Sequence, residues 1–201
     1  MALSRTGSSP GEGASAIPYC KAELVGANVE GICLGLVAEW LRRLDQSPVD
    51  RVAALARGTA GHAVAGQWQR HYADDKAARR SRGSETAAAD LQAQNAVLCA
   101  AGLRPAESDE LYDWITPGVL PYVAGTIAET GAKHLLGMYF ANGKAHTIAA
   151  SSSGRRISLF DPNHGEFEAR PREVENLLQR LVDRYREDGH VLMNITLQAL
   201  H

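Results

Sequence analysis

The chain is poor in cysteine. Its 201 residues hold three, Cys20, Cys33 and Cys99. An odd, sparse set builds no disulfide framework, and no C-x-x-C pair offers a zinc site. The chemistry is expected in a reducing setting, with at most one special thiol. The chain also lacks an excess of either charge: 21 Lys and Arg against 23 Asp and Glu leave −2. That excludes a generally basic nucleic-acid binder and a strongly acidic tail protein. No apolar run approaches the roughly 20 residues of a transmembrane helix. The opening Met-Ala-Leu-Ser-Arg has neither the apolar core of a standard secretory signal peptide nor the Met-Gly of direct myristoylation. There is no internal repeat.

What remains is an ordinary globular balance, 45% hydrophobic and 22% charged, long enough to bury a core without disulfides. Residues 1–18 are mainly Ser, Gly, Pro and Ala and read as a flexible leader and candidate secretion signal. Residues 19–201 read as a single domain. Residues 19–31 read as irregular. Ile32, Leu36, Val37, Trp40, Leu41 and Leu44 then recur on one helical face. Residues 49–73 look helical again, weakened by Gly58, Gly61 and Gly66, and the charged stretch 74–83 reads as a loop. Helices follow over 86–101 and 117–130, each closed by a glycine.

The period then changes to alternation. Residues 135–140, 145–150, 156–161 and 191–197 are strand candidates, with an amphipathic helix over 172–187 on Val174, Leu177, Leu178, Leu181 and Tyr185. Helices first, then an antiparallel meander, a crossover helix and a closing strand give an α+β fold.

Cys33 stands out because it sits in the first turn of a helix, in Gly31-Ile32-Cys33-Leu34-Gly35-Leu36. Unpaired backbone N–H groups and the positive end of the helix dipole favour a thiolate there. Gly31 and Gly35 would leave room for a substrate backbone. A small buried cysteine in a helix is the common alternative, and Cys20 and Cys99 are read that way, Cys20 in a loop and Cys99 on an Ala-rich helix face.

A nucleophilic thiol needs a base, and the base an orienting group. Of seven histidines, His146 alone lies inside an apolar strand, and Asp161 ends the next one. The Ser151-Ser152-Ser153-Gly154 linker is hairpin material. A turn centred on Ser152-Ser153 makes Asp161 the same-face diagonal neighbour of His146. One centred on Ser153-Gly154 places them directly opposite. A one-residue slip would separate them onto opposite faces. His62 and His71 could be drawn together with Asp74 and Asp75, but the two histidines are nine residues apart, which is not a helical i, i+4 spacing, so no metal and no cofactor are expected.

In these blocks the chain resembles the YopT/AvrPphB-type cysteine proteases of the papain-like clan, from about Val25 to the end. The resemblance rests on Gly31-Ile32-Cys33-Leu34-Gly35-Leu36 with Trp40, on His146-Thr147-Ile148-Ala149, and on Leu159-Phe160-Asp161-Pro162-Asn163 followed by Gly165-Glu166-Phe167. It implies a papain-like fold, with an N-terminal helical part packed on a central antiparallel sheet. It implies a Cys33–His146–Asp161 triad, with Asn28 in the oxyanion hole. It further implies a thiol endopeptidase secreted by a type III system into host cells, acting in the host cytoplasm or at the membrane periphery on host signalling proteins such as Rho-type GTPases or immune kinases. Alternatives are a papain-fold acyltransferase resembling transglutaminases and a catalytically silent host-protein-binding domain. The expected partner is a host protein substrate, not nucleic acid, and the expected state is a monomer. Membrane association is left open, since no clear lipidation or self-cleavage motif precedes Cys33.

Overall fold

Alternating segments with one apolar face must pair and be covered, and here they form one antiparallel sheet of seven strands. The structure is a computed structural model that describes residues 19–201; the leader expected over 1–18 lies outside the described residues. In chain order the elements are β1 (Cys20–Glu23), α1 (Cys33–Leu41), α2 (Pro48–Ala53), α3 (Ala60–Ser81), α4 (Thr86–Ala100), β2 (Glu110–Asp113), α5 (Val119–Ile127), β3 (Lys133–Phe140), β4 (Ala145–Ser152), β5 (Ile157–Asp161), β6 (Gly165–Ala169), a short 3-10 turn (Pro171–Glu173), α6 (Val174–Glu187) and β7 (Leu192–Leu200). The sheet order is β1-β6-β5-β4-β3-β7-β2.

The strand period of two sorts side chains onto two faces. On one, Leu136, Met138, Ile148 and Leu159 meet Val123 and Ile127 of α5 and Leu177 and Leu181 of α6. On the other, Leu135, Ala149 and Phe160 meet Leu36, Val37 and Trp40 of α1. This is the expected α+β arrangement, with helices covering both faces.

The central strands and α1, α4, α5 and α6 lie close to their predicted spans. The region 49–83 differs. Two capped helices replace one: Ser47 Oγ accepts from Asp50 N at 3.2 Å, and Thr59 Oγ1 from His62 N at 3.1 Å. Gly58, at φ +86°, turns the chain between them. The charged stretch expected as a loop is the second half of α3. Its charges hold the helix together, with Arg79 Nε on Asp75 at 2.8 Å four residues back, and they fasten it to α4 through Lys76 with Asp90 and Arg79 with Gln92. The strands β1, β2 and β6, of four, four and five residues, also escape sequence reading. They are too short for alternation to speak.

One glycine is spent differently from its expected use. A Cβ on Gly35 would lie 1.9 Å from the carbonyl oxygen of Ala65 in α3, so this glycine serves close helix packing rather than substrate access. Gly35→Ala should cost about 3 kcal/mol, at the upper end for overpacking. Thermal unfolding should show Tm falling by roughly 6–12 °C, at about 2–4 °C per kcal/mol for a chain of this size. An unchanged Tm would mean that α3 is not held against α1 at this point.

Candidate active site

The chain reaches the site through a tight turn. Gly31 N donates to Asn28 O at 3.0 Å, and Gly31 sits at φ +69°, a conformation that glycine adopts without strain. The next residues start α1 with Cys33 as its first residue, and Ile32 at the cap position offers no side-chain oxygen to the first-turn N–H groups. Gln69 Oε1 takes the Gly35 N–H at 3.2 Å, and the earlier N–H groups of the turn, with the helix dipole, favour negative charge at the helix start. Cys33 is half-buried.

α1 packs against β4, which brings Cys33 to the first residues of that strand. The thiol lies close enough to His146 and Thr147 for both to act on its protonation. Burial pushes the thiol pKa up, but His146 and Thr147 outweigh that and hold it below the ordinary value of 9.0. His146, 5% exposed, donates from Nε2 to Asp161 Oδ1 at 3.0 Å. Its other ring nitrogen is thereby left for the thiol. Burial alone would lower the imidazole pKa. The buried Asp161 carboxylate and the Cys33 contact reverse this and push it up to about 10. Asp161 is fully buried. Burial pushes its carboxyl up, but His146 foremost, with His164 and the Asn163 N–H, holds it below the usual 3.8.

The hairpin that joins the two is longer-stranded than expected. Ala150 faces Leu159 and Ser152 faces Ile157, and Ser153 N donates to Arg156 O at 2.9 Å around Gly154-Arg155. The turn is therefore displaced from both predicted centres. Ser151 and Ser152 belong to β4, because Ser152 N donates to Ala132 O at 2.8 Å and its hydroxyl to Ala128 O. The displacement is an even number of residues, so the faces are kept. His146 and Asp161 remain on one side of the sheet, the side on which Tyr185 of α6 packs.

Asn28 Nδ2 donates to Asn163 Oδ1 at 2.8 Å. The other candidate thiols lie elsewhere. Cys20 stands on β1 rather than in a loop, and Cys99 is exposed rather than buried. His62 bonds the carbonyl of Ala27 at 2.9 Å and so steadies the loop before Asn28. His71, Asp74 and Asp75 border a shallow depression between α3 and α4. Among the described residues no three His, Cys, Asp or Glu side chains gather to hold a metal ion, and no helix is long and apolar enough to cross a membrane.

Two residues at the site went unread in the sequence. Tyr185 OH donates to Asp161, 2.9 Å from Oδ2, and Asn163 donates its backbone N–H to Oδ1 at 2.7 Å. In the sequence Tyr185 reads only as part of an apolar helix face. A phenol at 4% exposure needs a polar partner, and that requirement was the available signal. Asn163 was hidden in a turn-forming Asp-Pro-Asn run.

Residues 13–199 match the peptidase family C58, described as Yersinia/Haemophilus virulence surface antigen. The chain is 44% identical over 189 residues to the YopT-like protein blr2140 of Bradyrhizobium diazoefficiens, covering 92% of this chain and 70% of that one. It is 41% identical to the YopT-like protein y4zC of Sinorhizobium fredii, covering 83% and 64%. It is 32% identical to the cysteine protease avirulence protein AvrPphB of Pseudomonas savastanoi pv. phaseolicola, covering 79% and 60%. The chain thus spans 60–70% of the length of these relatives. The crystal structure of AvrPphB superposes with a TM-score of 0.84 at 27% identity, over 91% of this chain and 97% of that chain.

Proposed function

The chain belongs to the YopT/AvrPphB-type cysteine proteases, and from that premise we propose that Cys33, His146 and Asp161 form the catalytic triad of a thiol endopeptidase within one protease domain over 19–201. The observation that carries this reading is the continuous contact from the Cys33 thiol through His146 to a fully buried Asp161. In that geometry the resting site is a thiolate–imidazolium pair. The thiolate attacks a peptide carbonyl carbon, and the negative charge passes to the carbonyl oxygen. The Asn28 side-chain amide and a first-turn N–H of α1 stabilise that oxyanion. The imidazolium gives its proton to the leaving amine as the C–N bond breaks, leaving a thioester on Cys33. His146, now neutral, takes a proton from water, which hydrolyses the thioester.

The substrate is a host protein, and the enzyme reaches it through type III secretion, to act in the host cytoplasm or at the membrane periphery. AvrPphB, whose name marks it as an avirulence protease, supports this setting. The test is incubation with a proteome-derived peptide library and mass-spectrometric reading of new N-termini. The native protein should generate a consistent cleavage sequence, and Cys33→Ala none. Equal cleavage by Cys33→Ala would overturn the assignment. Amine incorporation without new N-termini would replace hydrolysis with acyl transfer.

A further inference from the structure

Two side chains, Asn163 and Tyr185, link Asn28 to the carboxylate of Asp161 by hydrogen bonds. Asn28 Nδ2 meets Asn163 Oδ1 at 2.8 Å, Asn163 Nδ2 meets Tyr185 OH at 2.9 Å, and Tyr185 OH meets Asp161 Oδ2 at 2.9 Å. The direction of every bond follows from one end. An ionised carboxylate only accepts, so the Tyr185 hydroxyl must donate to it. The phenolic oxygen is then an acceptor, and the Asn163 amide must turn its NH₂ toward it. That leaves Asn163 Oδ1 facing Asn28, and Asn28 must answer with its own NH₂. One N–H of that amide remains to donate elsewhere.

A second observation shows that this chain, and not local comfort, sets the Asn28 amide. Its carbonyl oxygen is buried with no hydrogen-bond partner among the described residues. An amide free to choose would turn to satisfy that oxygen. The Asn163 acceptor forbids the turn.

We infer that Tyr185 and Asn163 are positioning residues that transmit the orientation of the Asp161 carboxylate to Asn28, so that the nucleophile's oxyanion site presents an N–H and not a carbonyl. The inference rests on the proposed roles of Cys33 and Asn28. It goes beyond them by making the third member of the triad the reference for the oxyanion donor as well as for the imidazole. The two halves of the site, one on the loop before α1 and one at the end of β5, are then set by a single anion.

Two small probes separate this from a merely structural role. Iodoacetamide alkylates a thiolate by displacement of iodide at a saturated carbon and needs no oxyanion donor. p-Nitrophenyl acetate acetylates the same thiolate through a tetrahedral oxyanion, forming the thioester and releasing p-nitrophenolate. Tyr185→Phe should slow acetylation of Cys33 about tenfold, a fraction of the 10²–10³ lost with an oxyanion donor itself, and should change alkylation less than about threefold. Asn163→Ala, whose substitution leaves the backbone N–H to Asp161 in place, should do the same and guards against misfolding of the first variant. Asn28→Ala should slow acetylation about a hundredfold, and adding Tyr185→Phe should slow it no further, because coupled residues are not additive.

Multiplied losses in the double variant would overturn the inference, as would equal losses with both probes. If native Cys33 reacts no faster than an ordinary thiol with either probe, the underlying assignment of the nucleophile fails, and the inference falls with it.

Discussion

At pH 6 iodoacetamide should alkylate Cys33 on the order of 10–100 times faster in the native protein than in His146→Ala, and above pH 9 the order should reverse. A thiol at the ordinary value of 9.0 is only about 0.1% thiolate at pH 6. Pairing with His146 holds the Cys33 pKa below that value and the His146 pKa up to about 10, so pairing raises the thiolate fraction at pH 6 above that of an ordinary thiol. A depressed pKa also weakens the nucleophile, with a Brønsted slope of about 0.4–0.5. That takes back part of the gain at pH 6. At high pH, where both proteins are fully thiolate, it leaves the native thiol the slower of the two. Crossing curves are therefore the signature of the pair.

His146→Ala should remain folded, since Asp161 keeps the Tyr185 hydroxyl and the Asn163 N–H as donors, and circular dichroism checks this. Parallel curves that both rise near pH 8–9 would overturn the pairing. The same shifts fix the pH profile of peptide hydrolysis. The acid limb falls where Cys33 takes up a proton, below its ordinary value. The alkaline limb falls as pH rises through about 10, where His146 loses the proton that the leaving amine needs.

The contrast between the proposed triad and the residues around it explains what the sequence could reveal. Cys33, His146 and Asp161 were legible because each stands at a marked position: a thiol at a helix start, an imidazole within an apolar strand and a carboxylate at a strand end. Their pairing survived an incorrect turn because strand faces depend only on whether a register shift is even or odd. Tyr185 and Asn163 were not legible, because a helix face and a turn account for them without any reference to Asp161. Gly35 is ambiguous in the sequence for a related reason. A glycine beside a nucleophile suits substrate approach and helix packing equally, and only the position of α3 decides between them. The charged half of α3 reads as a loop until Asp90 and Gln92 of α4 supply partners for Lys76 and Arg79. For Tyr185, Gly35 and the charged half of α3 the missing information is a contact with another element of the fold.

The same holds for the buried ion pair that anchors α1, and its loss should be the most damaging change outside the site. Glu166 on β6 is fully buried and accepts from Trp40 Nε1 at 2.7 Å and from Arg51 Nε at 2.6 Å, with a second Arg51 nitrogen on its other oxygen. Arg51, 5% exposed, also donates to the carbonyl of Gln46 at 2.7 Å, and Trp40 stacks on Phe160 at 5.4 Å. Replacing Arg51 with methionine keeps much of the apolar contact but leaves Glu166 charged, buried and paired only with an indole N–H. Breaking such a pair costs about 3–5 kcal/mol, so Arg51→Met should lower Tm by on the order of 10 °C. Removing both charges, in Arg51→Met with Glu166→Leu, should recover part of the loss. The remaining deficit is the Trp40 N–H without an acceptor, about 1–3 kcal/mol. Thermal unfolding should therefore rank native above the double variant and the double above Arg51→Met. A double variant less stable than Arg51→Met would mean that the carboxylate is not left uncompensated when arginine is lost. Because α1 carries Cys33 and β6 follows the turn that holds Asp161, loss of this pair should also loosen the distance between thiol and imidazole. Alkylation of Arg51→Met at pH 6, measured well below its Tm, should then fall toward that of His146→Ala, while Glu166→Gln, which retains an acceptor for Trp40 and Arg51, should fall less.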